Sequence, residues 1–196
     1  LEIEQHPDFE KHLNICLSDK GLTFALTHQG EELLSIGEVR LESAPAMAEA
    51  TRMLQQIFKD LGLPTVGLGK AQLVVNADYF AWIPQELFEA GKERACLSAV
   101  CDMPNGLSFY SDLNASVAAY AVYAHASAWI PAFRIAVPGI KMRCQHSHFA
   151  NDYTRAASAH KDTLLVHVRQ GKSDYMVMSQ GKLMLSNTLD RHDIHE

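Results

Sequence analysis

Leu164-Leu-Val-His-Val168, Asp174-Tyr-Met-Val-Met178 and Lys182-Leu-Met-Leu185, parted by turns at Arg169-Gln-Gly-Lys-Ser173 and Gln180-Gly181, decide how this chain is read. Apolar residues alternate within the runs, the period of a strand with one buried face, and glycine-bearing turns of this length join antiparallel neighbours. The stretch predicts a three-stranded antiparallel meander. The same pattern opens the chain. Leu13-Asn-Ile-Cys-Leu17 and Leu22-Thr-Phe-Ala-Leu-Thr27 flank Ser18-Asp-Lys-Gly21, and a turn at Gly30 leads to a third run, Leu33 to Leu41. Moved forward by 151 positions, Leu17 falls on Val168, Phe24 on Tyr175, Leu26 on Val177, Gly30 on Gly181 and Leu33 on Met184. A shared turn glycine within one register points to an internal duplication.

Between the meanders the pattern is mixed. Ser43 as N-cap, Pro45 in the first turn, apolar residues at Met47, Ala50, Leu54, Ile57, Phe58 and Leu61, and a stop at Gly62 and Pro64 predict a long helix. Ala71 to Asn76 reads as a buried strand, Pro84 to Gly91 as a short helix, and Arg94 to Val100 and Leu107 to Tyr110 as strands. A second long helix is expected from about Asn114 to Trp129, stopped by Pro131. From Arg134 to about His148 the chain reads as strand, then as helix through Ala159. The fold class is α/β: two duplicated halves of meander plus helix, with residues 1–133 as a first lobe and 134–196 as the start of a second.

Composition limits function. Apolar residues make up 47% and charged residues 20%, which is globular usage. The net charge is −6, and residues 1–98 hold 15 acids against 8 bases while the remainder hold 8 against 9. No basic stripe is present to bind nucleic acid through its phosphates. The most apolar stretch, Ala115 to Phe133, is interrupted by Tyr120, His125 and Pro131, so no membrane span is expected. The opening Leu-Glu-Ile-Glu-Gln-His-Pro shows neither a basic flank nor an apolar run of a secretory signal, and Cys16, Cys96, Cys101 and Cys144 lack zinc or redox spacing, which predicts reduced thiols in a cytoplasmic protein.

The duplicated meanders resemble the actin-like ATPase fold of the ribonuclease H-like group. Leu165-Val-His-Val-Arg-Gln-Gly-Lys-Ser-Asp-Tyr-Met-Val-Met178 is similar to the second phosphate loop of that fold, Leu-Val-Asp-Ile-Gly-Gly-Gly-Thr-Thr-Asp-Val-x-Val-Ile, and Ile15 to Ala25 occupies the place of the first. The resemblance implies a cleft in which Cys16, Ser18, Gly21, His167, Arg169, Gly171, Ser173 and Asp174 hold the nucleotide-phosphate positions. It also implies that the chemistry is lost. Cys16 and His167 stand where active members carry magnesium-holding aspartates, and Ser18 and Arg169 replace tight-turn glycines. The whole chain also resembles a bacterial domain family of unknown function with this fold, through Pro84-Gln-Glu-Leu-Phe88 and Lys182-Leu-Met-Leu-Ser-Asn187. Members of that family run further, so Asp193-Ile-His-Glu196 is expected to start a helix of an incomplete second lobe.

A thiol and an imidazole are poor ligands for a hard cation. The chain is therefore expected to be no ATPase and to need no cofactor, acting instead as a protein-interaction or scaffold module. Actin-fold platform proteins of pilus and secretion machines are the analogy. One alternative is a nucleotide-binding switch that takes ATP and magnesium. Another is a small Cys/His or metal-dependent enzyme. For the latter, Cys16 and His167 would need to meet as a thiol–imidazole pair, or Cys144, His146 and His148 to share one strand face as metal ligands. Against these stand plainer roles: Cys16 as a small filler, His167 as a strand residue, and His146 and His148 as surface residues. His192 and His195 are expected to be solvated.

Overall fold

The computed structural model describes residues 10–18, 21–40, 46–125, 128–156, 162–169 and 171–190. Ser43, Pro45, the span beyond 156 toward Ala159, His192, His195 and Asp193–Glu196 lie outside the described residues. The opening meander is β1 (Lys11–Leu17), β2 (Gly21–His28) and β3 (Glu32–Arg40). It sits at one edge of a five-stranded sheet ordered β3-β2-β1-β4-β8, completed by β4 (Lys70–Val75) and β8 (Lys141–Cys144). β1, β4 and β8 run parallel, so each connection must cross over on a sheet face.

The crossover helix α1 (Met47–Asp60) buries Ala50, Leu54 and Phe58, spaced one turn apart. Its N-cap is Ala46 rather than Ser43, with no side-chain cap. Its C-terminus is specified by Gly62, whose φ of 62° lets Gly62 N–H donate to the Lys59 carbonyl and Leu63 N–H to that of Phe58. The second helix on this layer, α3 (Trp129–Ala136), packs on α1 through the Phe58 and Phe133 rings, 6.3 Å apart. Together they cover Leu13, Ile15, Leu17, Leu22, Phe24 and Leu26 in one core. The 133/134 boundary falls inside α3, and the first sheet takes its last strand as late as Cys144.

Residues 79–125 form an antiparallel sheet of their own, ordered β5-β7-β6, from β5 (Tyr79–Pro84), β6 (Ser108–Asn114) and β7 (Ala119–His125). Here the structure departs from the sequence expectation. The expected helix from Asn114 to Trp129 is instead a turn and the strand β7. Asn114 holds that turn, its Oδ1 accepting Ser116 N–H at 3.0 Å. Pro131 lies in the first turn of α3 rather than stopping a helix. Arg94 to Val100, expected as a strand, is the helix α2 (Glu93–Ser98), and Pro84 to Gly91 holds only a single 3-10 turn at Gln85–Leu87.

The closing meander is β9 (Thr163–Arg169), β10 (Lys172–Ser179) and β11 (Lys182–Asp190), a separate sheet ordered β11-β10-β9. Leu17 pairs with Leu22 as Val168 pairs with Ser173, so the 151-residue register holds across the first hairpin of each half. Gln29-Gly30 and Gln180-Gly181 turn with all four residues at positive φ, and each second hairpin carries an irregularity at the same place, Leu26/Thr27 and Val177/Met178. Beyond the turn the offset drops to 150: Thr27 pairs with Leu33 and Met178 with Leu183, so Leu33 corresponds to Leu183 and not to Met184. α4 (Gln145–Ala156) links the two sheets and packs Ala150 on Met176 and Met178.

Candidate functional site

A strand alternates its faces, so with Leu13, Ile15 and Leu17 turned into the core, Cys16 lies on the other side of β1. Gly21 opens β2 where a Cβ would meet the Val39 carbonyl oxygen at 2.3 Å, a place for glycine alone. Ser18 closes the turn, its N–H and Oγ both donating to the Gly21 carbonyl at 2.8 and 3.1 Å. His167 and Arg169 stand at the matching places of β9. The two hairpins converge on a cavity of about 250 Å³ lined by Cys16, Ser18, Gly21, His167 and Arg169 together with Thr23, Glu38, Asn76 and Gln145. Five of the eight expected residues therefore meet. Gly171 lies in the β9–β10 turn at a φ of 77°, Ser173 lies on the opposite face of β10 from Asp174, and Asp174 is buried, hydrogen-bonded to the lining residues Gln145 and Arg169.

Asp174 is the centre of this arrangement. It is 5% exposed. Oδ1 accepts from Thr188 Oγ1 at 2.7 Å and Arg169 Nη2 at 3.3 Å, and Oδ2 from Arg169 Nε and Gln145 Nε2, each at 3.0 Å. His167 Nδ1 lies 3.2 Å from Oδ2 and His146 Nε2 3.5 Å from Oδ1. Burial works to raise the Asp174 pKa, but hydrogen bonds from His146, His167 and Thr188 overcome it and hold the carboxyl well below the usual range. Arg169 also reaches across the chain. Its Nη1 lies 3.4 Å from Asp78 Oδ1, and Lys172 Nζ lies 2.8 Å from the same oxygen, joining the closing meander to the loop after β4.

Cys16 and His167 share the cavity without pairing. Among the described residues no hydrogen bond joins them; His167 Nδ1 lies 2.9 Å from Gln145 Nε2. Burial raises the Cys16 thiol pKa, opposed by the Arg169 charge, a direction that disfavours the thiolate.

The strand-face arrangement of Cys144, His146 and His148 is overturned. Cys144 ends β8, and both histidines fall in the first turn of α4, where a period of 3.6 parts them. His146 stacks on Phe80 at 4.0 Å and His148 Nδ1 lies 3.3 Å from Gln72 Nε2. No group of three or more His, Cys, Asp or Glu among the described residues is arranged to hold a metal ion. Among those residues, too, no helix is long and apolar enough to cross a membrane.

Gln145, Asn76, Asp78 and Thr188 join the site without having stood out in the sequence. Gln145 sits in a stretch that reads as strand, which hides its place at the start of α4. Asp78 has a weak signal, the polar break after the apolar run of β4.

Among solved structures, a Bacteroides thetaiotaomicron protein with actin-like ATPase fold and unknown function superposes with a TM-score of 0.76 at 15% identity, over 97% of this chain and 74% of that one. A PilM–PilN type IV pilus biogenesis complex matches with a TM-score of 0.49 at 13% identity, over 94% of this chain and 62% of that one. The ethanolamine utilization protein EutJ from Carboxydothermus hydrogenoformans gives 0.43 at 8%, over 92% and 52%. No curated protein matches. The first of these likenesses shows the fold, two β-meanders facing one cleft in the actin-like ATPase arrangement. The sequence model of the family described as "Protein of unknown function (DUF3822)" matches residues 2–194, and the chain belongs to that family.

Proposed function

We propose that this chain is a catalytically silent actin-fold protein that acts by binding another protein, with its cleft kept as architecture. The observation that carries this reading is the sealing of Asp174. Both of its oxygens are occupied, and the charge beside it is the Arg169 guanidinium. Magnesium takes carboxylate and water oxygens in a near-octahedral shell, whereas the matching strand positions here supply sulfur and imidazole nitrogen from Cys16 and His167. The residues do not fit that ion. The cavity, at about 250 Å³, also lies below the roughly 300–1,000 Å³ of ordinary ligand pockets.

A second reading, a ligand-responsive switch, is favoured by one feature. Asn76 Oδ1 is buried in the cavity wall without a hydrogen-bond partner among the described residues, and a bound donor would satisfy it. A thermal scan with millimolar ATP and magnesium separates the two. A ligand at about a hundred times its dissociation constant adds roughly 2.7 kcal/mol, or about 5–10 °C for a chain of this size. The silent module shows no such shift; a magnesium-dependent rise of several degrees refutes it.

A further inference from the structure

Parallel strands bring their N-termini to one end of a sheet. β4 opens at Lys70 and its neighbour β8 at Lys141. Gln72 pairs with Lys141, and residues two apart on a strand share a face. Both lysines therefore project on one side, away from the core that takes Leu73, Val75 and Met142. Strand spacing and rise set their Cα atoms about 8 Å apart. Both side chains are exposed, and among the described residues neither has an ion-pair partner, in a chain of net charge −6. Arg143, two residues further along the same face, is matched by the charge of Asp112. Like charges held side by side on neighbouring strands repel, and an anion between them reverses the sign of the interaction.

The backbone beside the two lysines has donors to spare. The loop before β4, Thr65 to Gly69, and the turn before β8 at Gly139 enclose with them a cavity of about 250 Å³. Gly67 and Gly139 stand at φ of 72° and 83°. Among the described residues no hydrogen bond takes the N–H groups of Thr65, Val66, Gly67 or Leu68. Successive uncommitted N–H groups around a left-handed residue make an anion-binding concavity. Thr65 adds a hydroxyl, and among the described residues no carboxylate lines the wall. We infer that this cavity is a binding site for a small phosphate-bearing anion, inorganic phosphate or a phosphomonoester, held between Lys70 and Lys141. Two ammonium groups match the charge of a phosphate dianion, and the volume suits one phosphate group rather than a nucleotide. Lys70 lies at the end of β4 remote from Asn76 and the cleft, about 20 Å away by strand rise. The site is therefore separate from the cleft and independent of the reading proposed for it.

Isothermal titration of the whole chain with inorganic phosphate, and then with phenyl phosphate, at constant ionic strength and without magnesium, is the test. Saturable one-to-one binding is expected. Lys70→Gln or Lys141→Gln should weaken it about tenfold, and Lys59→Gln, on α1, should leave it unchanged. Because the two lysines repel in the free protein, both variants are expected to melt, without phosphate, no lower than wild type. A lower melting temperature would mark a structural role for the lysine and overturn the proposal. So would a titration that does not saturate, equal competition by chloride, or binding that the double variant Lys70→Gln/Lys141→Gln retains. Anionic lipid vesicles that bind through these lysines where phosphate does not would overturn it too, since the ligand would then be a membrane surface. An effect seen only with magnesium ATP belongs to the cleft and does not move this measurement.

Discussion

Replacing Arg169 by alanine removes one guanidinium from three places at once. It donates to Asp174 through Nε at 3.0 Å and Nη2 at 3.3 Å, and Nη1 reaches Asp78 at 3.4 Å. Breaking a fully buried ion pair costs about 3–5 kcal/mol because the remaining charge is left uncompensated. The cost here is smaller, since Asp174 keeps hydrogen bonds from Thr188 and Gln145. The Asp78 arm, with that side chain 34% exposed, adds less than about 1 kcal/mol. The expected loss for Arg169→Ala is therefore about 2–3 kcal/mol. Asp174→Asn removes the charge and keeps the shape, so the double variant should cost less than the sum of the singles by about 1–2 kcal/mol. Urea unfolding followed through Trp82 and Trp129 measures all four proteins; with a slope near 2 kcal/mol/M the Arg169→Ala midpoint falls by about 1 M. An Arg169→Ala protein within about 0.5 kcal/mol of wild type, or strict additivity, would refute the reasoning that this pair seals the site.

Three more perturbations have outcomes set by particular residues. Burial lifts the Asp112 pKa to about 6, partly offset by hydrogen bonds from Ser147 and the Cys144 N–H. A folded-state value above the unfolded one penalises the ionised form, so wild type should gain about 1 kcal/mol relative to Asp112→Asn between pH 7 and pH 5, read from paired thermal melts. Cys16 should react with a thiol probe at neutral pH no faster than an ordinary exposed cysteine, and His167→Ala should not change its rate; fast labelling slowed by His167→Ala would restore the thiol–imidazole pair. Gly21→Ala should destabilise by about 1–3 kcal/mol in the same urea assay, because the Val39 carbonyl occupies the place of the new methyl group.

The meanders are legible because each has one buried face, which leaves period-two alternation in the sequence. The hairpin joining β10 and β11 is shorter by one residue than its counterpart, and sequence alone slides Leu33 onto Met184 rather than Leu183. β7 reads as helix for a definite reason. It is the central strand of its sheet, flanked by β5 and β6, with Ala121, Val122, Tyr123 and Ala124 all buried. A strand covered on both faces loses its alternation and cannot be told from a buried helix by periodicity. The convergence of Cys16, Ser18, Gly21, His167 and Arg169 is a consequence of the repeat, since equivalent hairpins face one another. The part of Gln145 is not, because it depends on where β8 stops and α4 begins, and the run from Cys144 to His148 carries no sign of that switch.

Phosphate release from magnesium ATP tests the central claim most directly, measured on wild type, Arg169→Ala and Asp174→Asn at equal concentration. With Asp174 sealed by Arg169 and no second carboxylate at Cys16 or His167, release should stay at the buffer rate for all three proteins. Magnesium-dependent turnover by wild type that Asp174→Asn abolishes would contradict the account, for it would show that this carboxylate is free to serve a metal-bound nucleotide.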